Sequence, residues 1–209
     1  MNTGIKRNLK LTYLAVLTAV LIFGTYLYSV SAQKSISEKV IRLHVIANSD
    51  SLEDQEVKLH VRDEILQNLS NDFSDIKTRD KAIKILKSKL PEIKRLSESK
   101  IKSEGKEYPV TVKLEKERFP VKTYGAFRFP AGSYTALKVS IGKAEGKNWW
   151  CVLFPPLCLT EETLSEEGYE VLSKALSEKD MEIIDCENAE KSKINIKFFI
   201  VEKWQEFLR

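Results

Sequence analysis

The sequence predicts an α+β fold, in which helices cover a mixed, largely antiparallel sheet and an N-terminal hydrophobic helix precedes the domain. Three observations predict it: a long apolar run near the N-terminus, two segments between residues 52 and 103 with apolar residues at helical spacing, and several segments of alternating apolar and polar residues. With 209 residues, 43% hydrophobic and 31% charged, the chain suits one globular domain.

The first 32 residues form a targeting segment. Three cations, Lys6, Arg7 and Lys10, precede an apolar run from Leu11 to Val30 that closes with Ser31-Ala32. This order is typical of a secretory signal peptide, but a run of about 20 residues also suffices for an uncleaved anchor. We therefore divide the chain into residues 1–32, a signal peptide or membrane anchor, and 33–209, a single extracytoplasmic domain. The length of the run favours retention as an anchor.

The charge distribution excludes a general nucleic-acid surface. The formal net charge is +4, and without the three N-terminal cations 31 basic residues face 30 acidic ones. Within the domain, residues 77–106 are basic and residues 160–190 are acidic. We expect these segments either to face each other or, for the basic one, to contact anionic lipid or an acidic partner.

The first half of the domain is predicted to form one strand and two helices. Val40 to Ala47 alternates as a strand, and Ser51 with Asp54 is typical of a capping box. The next helix carries Asp54, Lys58 and Arg62 on a solvated face and buries an apolar one: Leu52, Val57, Val61, Ile65, Leu69 and Phe73. A second helix from Thr78 to about Ser103 contains Pro91, which predicts either a kink or two abutting helices.

The second half is predicted to be mainly β. Strands are expected around residues 110–115 and 135–141, with a third short strand between them. The Gly142 to Gly146 loop is expected to join residues 135–141 to the strand that starts at Asn148 as a hairpin. A helix capped by Thr163 through about Ser177, a closing strand at residues 194–200 and a packed tail complete the domain.

The segment from Asn148 to Cys158 is the most distinctive in the chain. It holds Trp149 and Trp150 and ends in Pro155-Pro156, which stop sheet pairing. On a strand, one face would carry Trp149, Cys151 and Leu153, and the other Trp150, Val152 and Phe154. A central core strand is the simpler interpretation, and a strand with one side awaiting a partner is the other.

Three cysteines leave several pairings open. Cys151 with Cys158 is the first candidate, and it requires the chain to reverse at the prolines. A disulfide of Cys186 with either of them, or buried free thiols, are the alternatives.

No catalytic or metal site is predicted. Neither His44 nor His60 lies in a motif for a Cys-His dyad, no cysteine or histidine spacing fits zinc, and carboxylates at a helix start are explained by the helix dipole. We expect no cofactor, small-molecule substrate or nucleic acid. The alternative from another functional class is an exported Cys-dependent enzyme that acts on cell-wall peptide or thiols.

Two blocks carry a resemblance to a known family. Arg42-Leu-His-Val-Ile-Ala-Asn-Ser-Asp-Ser51 is one, and Pro130-Ala-Gly-Ser-Tyr-Thr-Ala-Leu137 through the segment from Asn148 to Cys158 is the other. With the apolar N-terminus, they resemble the stage II sporulation protein R family. The resemblance implies a non-enzymatic signal of endospore-forming bacteria, made in the forespore and exported to the space between the septal membranes. There it would activate a membrane-embedded aspartic protease of the mother cell, which processes the sigma factor E precursor.

We expect the partner to bind at one end of the tryptophan strand. Rigid loops at a sheet's end present contacts whose ordering cost is already met, and tryptophan is frequent among binding hot spots. The predicted contact residues are Trp149, Trp150, Phe154, Gly142, Gly146 and Asn148, with Lys77–Lys106 as the alternative surface.

Overall fold

The computed structural model describes residues 2–73, 76–155 and 166–186. Within these ranges the helices are α1 (Asn2–Ser37), α2 (Leu52–Phe73), α3 (Arg79–Ser103), α4 (Glu166–Ala175) and α5 (Glu178–Ile184). The strands are β1 (Ile41–Ile46), β2 (Val110–Phe119), β3 (Lys122–Tyr124), β4 (Phe127–Phe129), β5 (Gly132–Ile141) and β6 (Asn148–Phe154). The predicted closing strand, the C-terminal tail and the Thr163 cap lie outside the described residues.

The main sheet has four strands in the order β2, β5, β1, β6, and β3 pairs with β4 in a separate two-stranded sheet. β1 is parallel to β5 and antiparallel to β6, and β2 is antiparallel to β5. The predicted α+β fold with a mixed, largely antiparallel sheet is confirmed. The predicted β5–β6 hairpin is wrong, because β1 lies between these strands and the 142–147 loop crosses its end.

Apolar clusters lie on both faces of the sheet. We call the cluster under α2 and α3 the helix-side core; it takes Ile41, Leu43 and Val45 from β1. The cluster on the opposite face, the second core, is built from the β3–β4 hairpin, the end of α1, and α4 and α5, and its largest side chains are Phe119, Phe127, Phe129 and Tyr134. Successive side chains of β1 point to opposite faces, so this strand is buried on both sides.

A bulge in β6 changes one predicted facing. Trp149, Cys151 and Leu153 belong to the helix-side core, and Trp150 and Val152 to the second core, as the alternation predicted. Phe154 was expected beside Trp150 and Val152, and this is wrong. Ile41 pairs with Phe154 while Arg42 pairs with Val152, so one extra residue turns Phe154 to the helix side.

α2 buries the predicted apolar stripe from Val57 to Phe73 against the sheet. Leu52 is an exception, since it is 85% exposed. The face that carries Asp54 and Lys58 is not solvated as predicted, because both side chains are buried, by the end of the sheet.

α3 continues through Pro91 as a single helix to Ser103, and Gly105, which follows the capping residue Glu104, has a φ of +75° that suits glycine. α4 lies within the predicted helix, and α5 is a further short helix that was not predicted and starts with a capping box of Ser177 and Asp180. The described part of the acidic segment does not face the basic one. α4 and α5 pack in the second core, across the sheet from α3.

α1 has two environments along one unbroken helix. From Leu9 to Val30 its large apolar side chains are exposed, and the helix is long and apolar enough to cross a membrane. Ala32 and Ile36, by contrast, are buried in the second core. The apolar N-terminal helix thus fits a signal sequence or an anchor, in a protein that is secreted or membrane-associated.

Candidate functional site

The second face of the sheet is covered at one end and open at the other. At the covered end, Arg42 lies under the aromatic side chains of the second core. At the other end the face carries polar side chains of intermediate or full exposure around a buried histidine. We call this half the open face and define it by His44, Glu117, Lys138, Asn148 and Trp150.

His44 is the centre of the open face. Its Nδ1 lies 2.8 Å from Glu117 Oε2, and its Nε2 lies 2.7 Å from Asn148 Oδ1. The imidazole also stacks on the Trp150 indole, with ring centroids 3.6 Å apart and planes 14° apart. Both ring nitrogens therefore have partners, as a buried histidine requires. The arrangement fixes Trp150 and Asn148 in place.

Glu117 is shared between His44 and a lysine on the neighbouring strand. Lys138 Nζ donates to Glu117 Oε1 at 2.6 Å and lies 3.7 Å from Glu115. The hydrogen bond to Glu117 raises the pKa of Lys138 above its usual value. The strand register brings these side chains together, since Lys138 on β5 and Trp150 on β6 both lie directly across from His44. The charges on the open face are thus paired across the strands.

The two tryptophans have different surroundings. Trp150 lies on the open face, half-buried, with Phe119 edge-on to it at 4.6 Å between centroids. Trp149 points to the helix side, where the Arg62 guanidinium carbon lies 4.1 Å from its ring centroid. The structure brings Trp150 together with Asn148, and it places Trp149 on the other face of the sheet.

Arg42 anchors the covered end. Its guanidinium is fully buried, and the rings of Phe119, Tyr134, Phe129 and Tyr124 lie around it with centroids 4.4–5.6 Å away. Nε donates to the Cys151 carbonyl at 3.0 Å, and Nη2 donates to the Tyr124 hydroxyl at 2.7 Å.

The Arg42 charge has a cost that its contacts only partly offset. Burial lowers the pKa of the guanidinium from its usual value, and Nη1 has no hydrogen-bond partner. The Tyr124 hydroxyl donates in turn to the Trp150 carbonyl at 3.0 Å. Arg42 and Tyr124 thus hold two successive carbonyls of β6, beside Trp150.

The 142–147 loop is fixed by the turn that follows β1. The N–H groups of Glu145 and Gly146 donate to the carbonyls of Asn48 and Ala47, and Lys147 N–H donates to Asp50 Oδ1 at 2.7 Å. Gly146 approaches so closely that a Cβ would overlap the Ser49 carbonyl oxygen.

Gly142 is held in the same way. Its φ is +57°, and a Cβ there would overlap the Asn48 side-chain oxygen, which accepts from Lys143 N–H at 3.0 Å. The loop beside the open face is therefore rigid, with the exposed side chains of Lys143, Glu145 and Lys147 displayed from it.

Asp54 supports that turn from α2. Its Oδ2 accepts from Asn48 Nδ2 at 2.8 Å and from the Ser49 hydroxyl. Burial acts to raise the pKa of this carboxyl, but the hydrogen bonds from Ser49 and Asn48 outweigh it and lower the pKa. Ser51 caps Asp54 N–H at 3.2 Å, so half of the predicted capping box forms, and the Asp54 carboxylate bonds Asn48 and Ser49.

Phe154 is not displayed for a partner. It is 4% exposed and packs edge-on to Phe73 at 6.1 Å between ring centroids. The surface beside the open face therefore comprises Trp150, Asn148 and the loop from Gly142 to Lys147, without Phe154.

The structure determines the disulfide state of two of the three cysteines. Cys151 is disulfide-bonded and 2% exposed, while Cys186 carries a thiol. Cys158 lies outside the described residues, so the Cys151–Cys158 pairing stays a prediction.

The described residues contain no cluster of three His, Cys, Asp or Glu side chains able to hold a metal ion. His60 pairs with Glu104 at 2.6 Å on a half-exposed helix surface. The sequence analysis did not identify Arg42, Tyr124 and Glu117 as parts of the site. The available signal was an arginine within a strand of mostly apolar residues, together with an aromatic-rich segment elsewhere in the chain.

Comparisons with known proteins agree with the sequence motifs. The family model of stage II sporulation protein R matches residues 37–164, more than half of the chain. A curated relative, stage II sporulation protein R of Bacillus subtilis (strain 168), is 38% identical over 191 residues, covering 82% of this chain and 85% of the relative. No solved structure matches. The chain therefore belongs to the stage II sporulation protein R family.

Proposed function

We propose that the protein is an exported sporulation signal that passes from the forespore to the mother cell. It acts in the space between the two septal membranes, where it activates a membrane-embedded aspartic protease that processes the sigma factor E precursor. Membership of the family supports the sporulation role, and the apolar N-terminal helix supports export. The protein acts as a ligand and not as an enzyme.

Activation by a ligand requires tighter binding to the active state of the protease than to the inactive one. A rigid surface favours this, because little entropy is lost when the partner binds. The observation that carries the binding proposal is the open face with its fixed loop. Trp150 is held by its stack on His44, and the 142–147 loop is bonded to the turn after β1.

The open face also has the composition of a docking surface. Trp150 offers a half-buried aromatic ring at the edge of a polar area, the arrangement found at many binding hot spots. The paired charges of Lys138 and Glu117 around it set orientation and exclude wrong partners. We place the protease contact on Trp150, Asn148 and the loop from Gly142 to Lys147.

The test reverses the charge of exposed side chains, because substitutions at such positions usually change stability little. Lys143→Glu with Lys147→Glu changes two exposed side chains of the loop, whose backbone N–H groups make the internal hydrogen bonds. Lys84→Glu with Lys87→Glu makes the same charge change on exposed positions of α3, across the sheet. Each pair is co-expressed with protease and precursor in a host without other sporulation proteins, and precursor processing is measured.

We expect the loop pair to lower processing at least tenfold and the α3 pair to leave it unchanged, with equal melting temperatures. Trp150→Ala should also lower processing, and more than its matched variant Trp149→Ala once the level of folded protein is taken into account. The reverse pattern, loss through α3 alone, would place the contact on Lys77–Lys106. No processing with the unmodified protein would refute direct activation.

The alternative, an exported Cys-dependent enzyme, has less support. A nucleophilic cysteine must be an accessible thiolate, whereas Cys151 is buried in a disulfide. Cys151→Ser and Cys158→Ser separate the proposals, together with the oxidation state of the thiols by mass spectrometry. Signalling by either folded variant would exclude that cysteine as a nucleophile.

A further inference from the structure

The end of α1 belongs both to the apolar segment and to the folded domain. Helical hydrogen bonding continues from Asn2 to Ser37 with no linker between the exposed and the buried part. The change from exposed to buried side chains begins at Ser29, which is 4% exposed. Ser29 directly precedes the small-residue motif Val30-Ser31-Ala32. The expected cleavage bond, Ala32–Gln33, therefore lies inside a helix that is docked on the domain.

The docking contacts are specific on both sides of that bond. Ala32 is 6% exposed and Ile36 is completely buried, both in the second core. Gln33 Nε2 donates to the Ser133 carbonyl at 3.4 Å, and Gly132 lies so close to the Gln33 side chain that a Cβ would overlap it. Lys39 and Asp180 form an ion pair that joins the end of this segment to α5.

Peptidases bind their substrates as extended strands that add to a sheet edge of the enzyme. A helical, docked bond must first open, and cleavage then follows the population of the opened state. Opening here exposes Ala32 and Ile36 and removes the Gln33 contact. The uncovered apolar surface makes the opened state rare.

We propose that folding of the domain protects the Ala32–Gln33 bond from signal peptidase, so that the folded protein retains α1 as its membrane anchor. Hydrolysis would add one water across that bond, leaving a carboxylate on Ala32 and a free amino group on Gln33. During export, cleavage therefore competes with folding. Only chains that are cleaved before the second core forms become soluble.

The proposal also sets the position of the domain. Leu11 to Tyr28 spans about 27 Å as a helix, close to the thickness of a bilayer's hydrocarbon core. Tyr26 and Tyr28 then lie at the interface, where aromatic side chains concentrate. Because one face of the next turn of α1, at Ser29 and Ala32, already packs on the domain, the domain rests directly on the outer surface of the membrane.

The test measures cleavage of the purified full-length chain in a non-ionic detergent by a bacterial signal peptidase. Ile36→Asp introduces a charge at a fully buried position without changing residues 30–33. Gly132→Val disturbs the same contact from the β5 side and leaves the targeting segment untouched. Glu38→Ala, at an exposed position of the same segment, is the matched control. Intact mass reports the product that begins at Gln33, and a standard secretory precursor in the same tube confirms peptidase activity.

We expect the wild type and Glu38→Ala to be cleaved at least tenfold more slowly than Ile36→Asp and Gly132→Val. In cells, the wild type should then be full-length and pellet with membranes. If Ile36→Asp unfolds the whole domain, Gly132→Val, with its fold verified by circular dichroism, decides the comparison. Cleavage of the folded wild type as fast as that of the variants would overturn the proposal, as would resistance of both variants.

Discussion

Arg42 and His44 lie two residues apart on the same face of β1, yet they hold their polar groups in opposite ways. Arg42 is surrounded by aromatic rings and bonds to a carbonyl and a hydroxyl, and one of its nitrogens has no partner. His44 has a carboxylate on one ring nitrogen and an amide on the other. The two residues differ because one end of the face is covered and the other is open. The β3–β4 hairpin, α1, α4 and α5 pack over the Arg42 end only.

The comparison indicates at which end of the face a partner can bind without disrupting the fold. At the covered end, any rearrangement would expose a desolvated cation and its aromatic surroundings. At the open end the polar partners of His44 already contact water, so docking there displaces solvent without unfolding anything. The same strand thus provides a stable base at Arg42 and an accessible surface at His44.

The largest effect is expected for Arg42→Ala. This change removes a large buried side chain and leaves a cavity between four aromatic rings. We expect the free energy of unfolding to fall by about 3–5 kcal/mol, measured by urea denaturation. Removing Nη2 and Nε also releases Tyr124 and the β6 backbone, so Trp150 fluorescence should change.

Arg42→Met separates packing from charge. Methionine fills most of the space and removes the buried cation, so we expect a loss of about 1–3 kcal/mol, smaller than for Ala. If Arg42→Met were as damaging as Arg42→Ala, the hydrogen bonds and not the packing would dominate at the covered end.

Alternation along β1 predicted which side chains share a face, but not which half of that face is covered. The cover comes from the β3–β4 hairpin, α4 and α5, which lie far from β1 in sequence, and from the end of α1, which directly precedes β1. The insertion of β1 between β5 and β6 was missed for the same reason, since local sequence favours neighbouring strands as hairpins. The facing of Phe154 depends on a bulge that periodicity does not signal.

An intermediate effect is expected for His44→Phe. The ring still stacks on Trp150 and only the two hydrogen bonds are lost, while Lys138 continues to pair with Glu117 and Asn148 faces water. We expect a loss of about 1–2 kcal/mol in urea denaturation. A loss equal to that of Arg42→Ala would remove the distinction between the covered and the open end.

The open end also depends on a part of the candidate site that the sequence only half predicted. For the Asn48-Ser-Asp-Ser51 turn the sequence predicted only the capping box of Ser51 with Asp54, whereas the turn also contacts the loop from Gly142 to Gly146 and the Asp54 carboxylate. The glycines were visible in the sequence. Their need for close approach to this turn was not, because it arises from a contact about 95 residues away in the chain.

The smallest effect concerns the second buried charge, Asp54, and it sharpens the contrast with Arg42. Burial dominates at Arg42, whereas hydrogen bonds from Ser49 and Asn48 dominate at Asp54 and lower its pKa. A carboxyl whose folded pKa is depressed stabilises the fold above its unfolded pKa of about 3.9, and that contribution is lost as the pH falls through the folded value.

Asp54→Asn should therefore be less stable than the wild type by about 1 kcal/mol at pH 7, with the difference shrinking below about pH 4. Thermal unfolding of both proteins from pH 3 to pH 7 measures it, and the similarly depressed pKa of Asp180 cancels because both proteins contain that residue. A difference that did not change with pH would show that the turn is held by the shape of the Asp54 side chain and not by its charge.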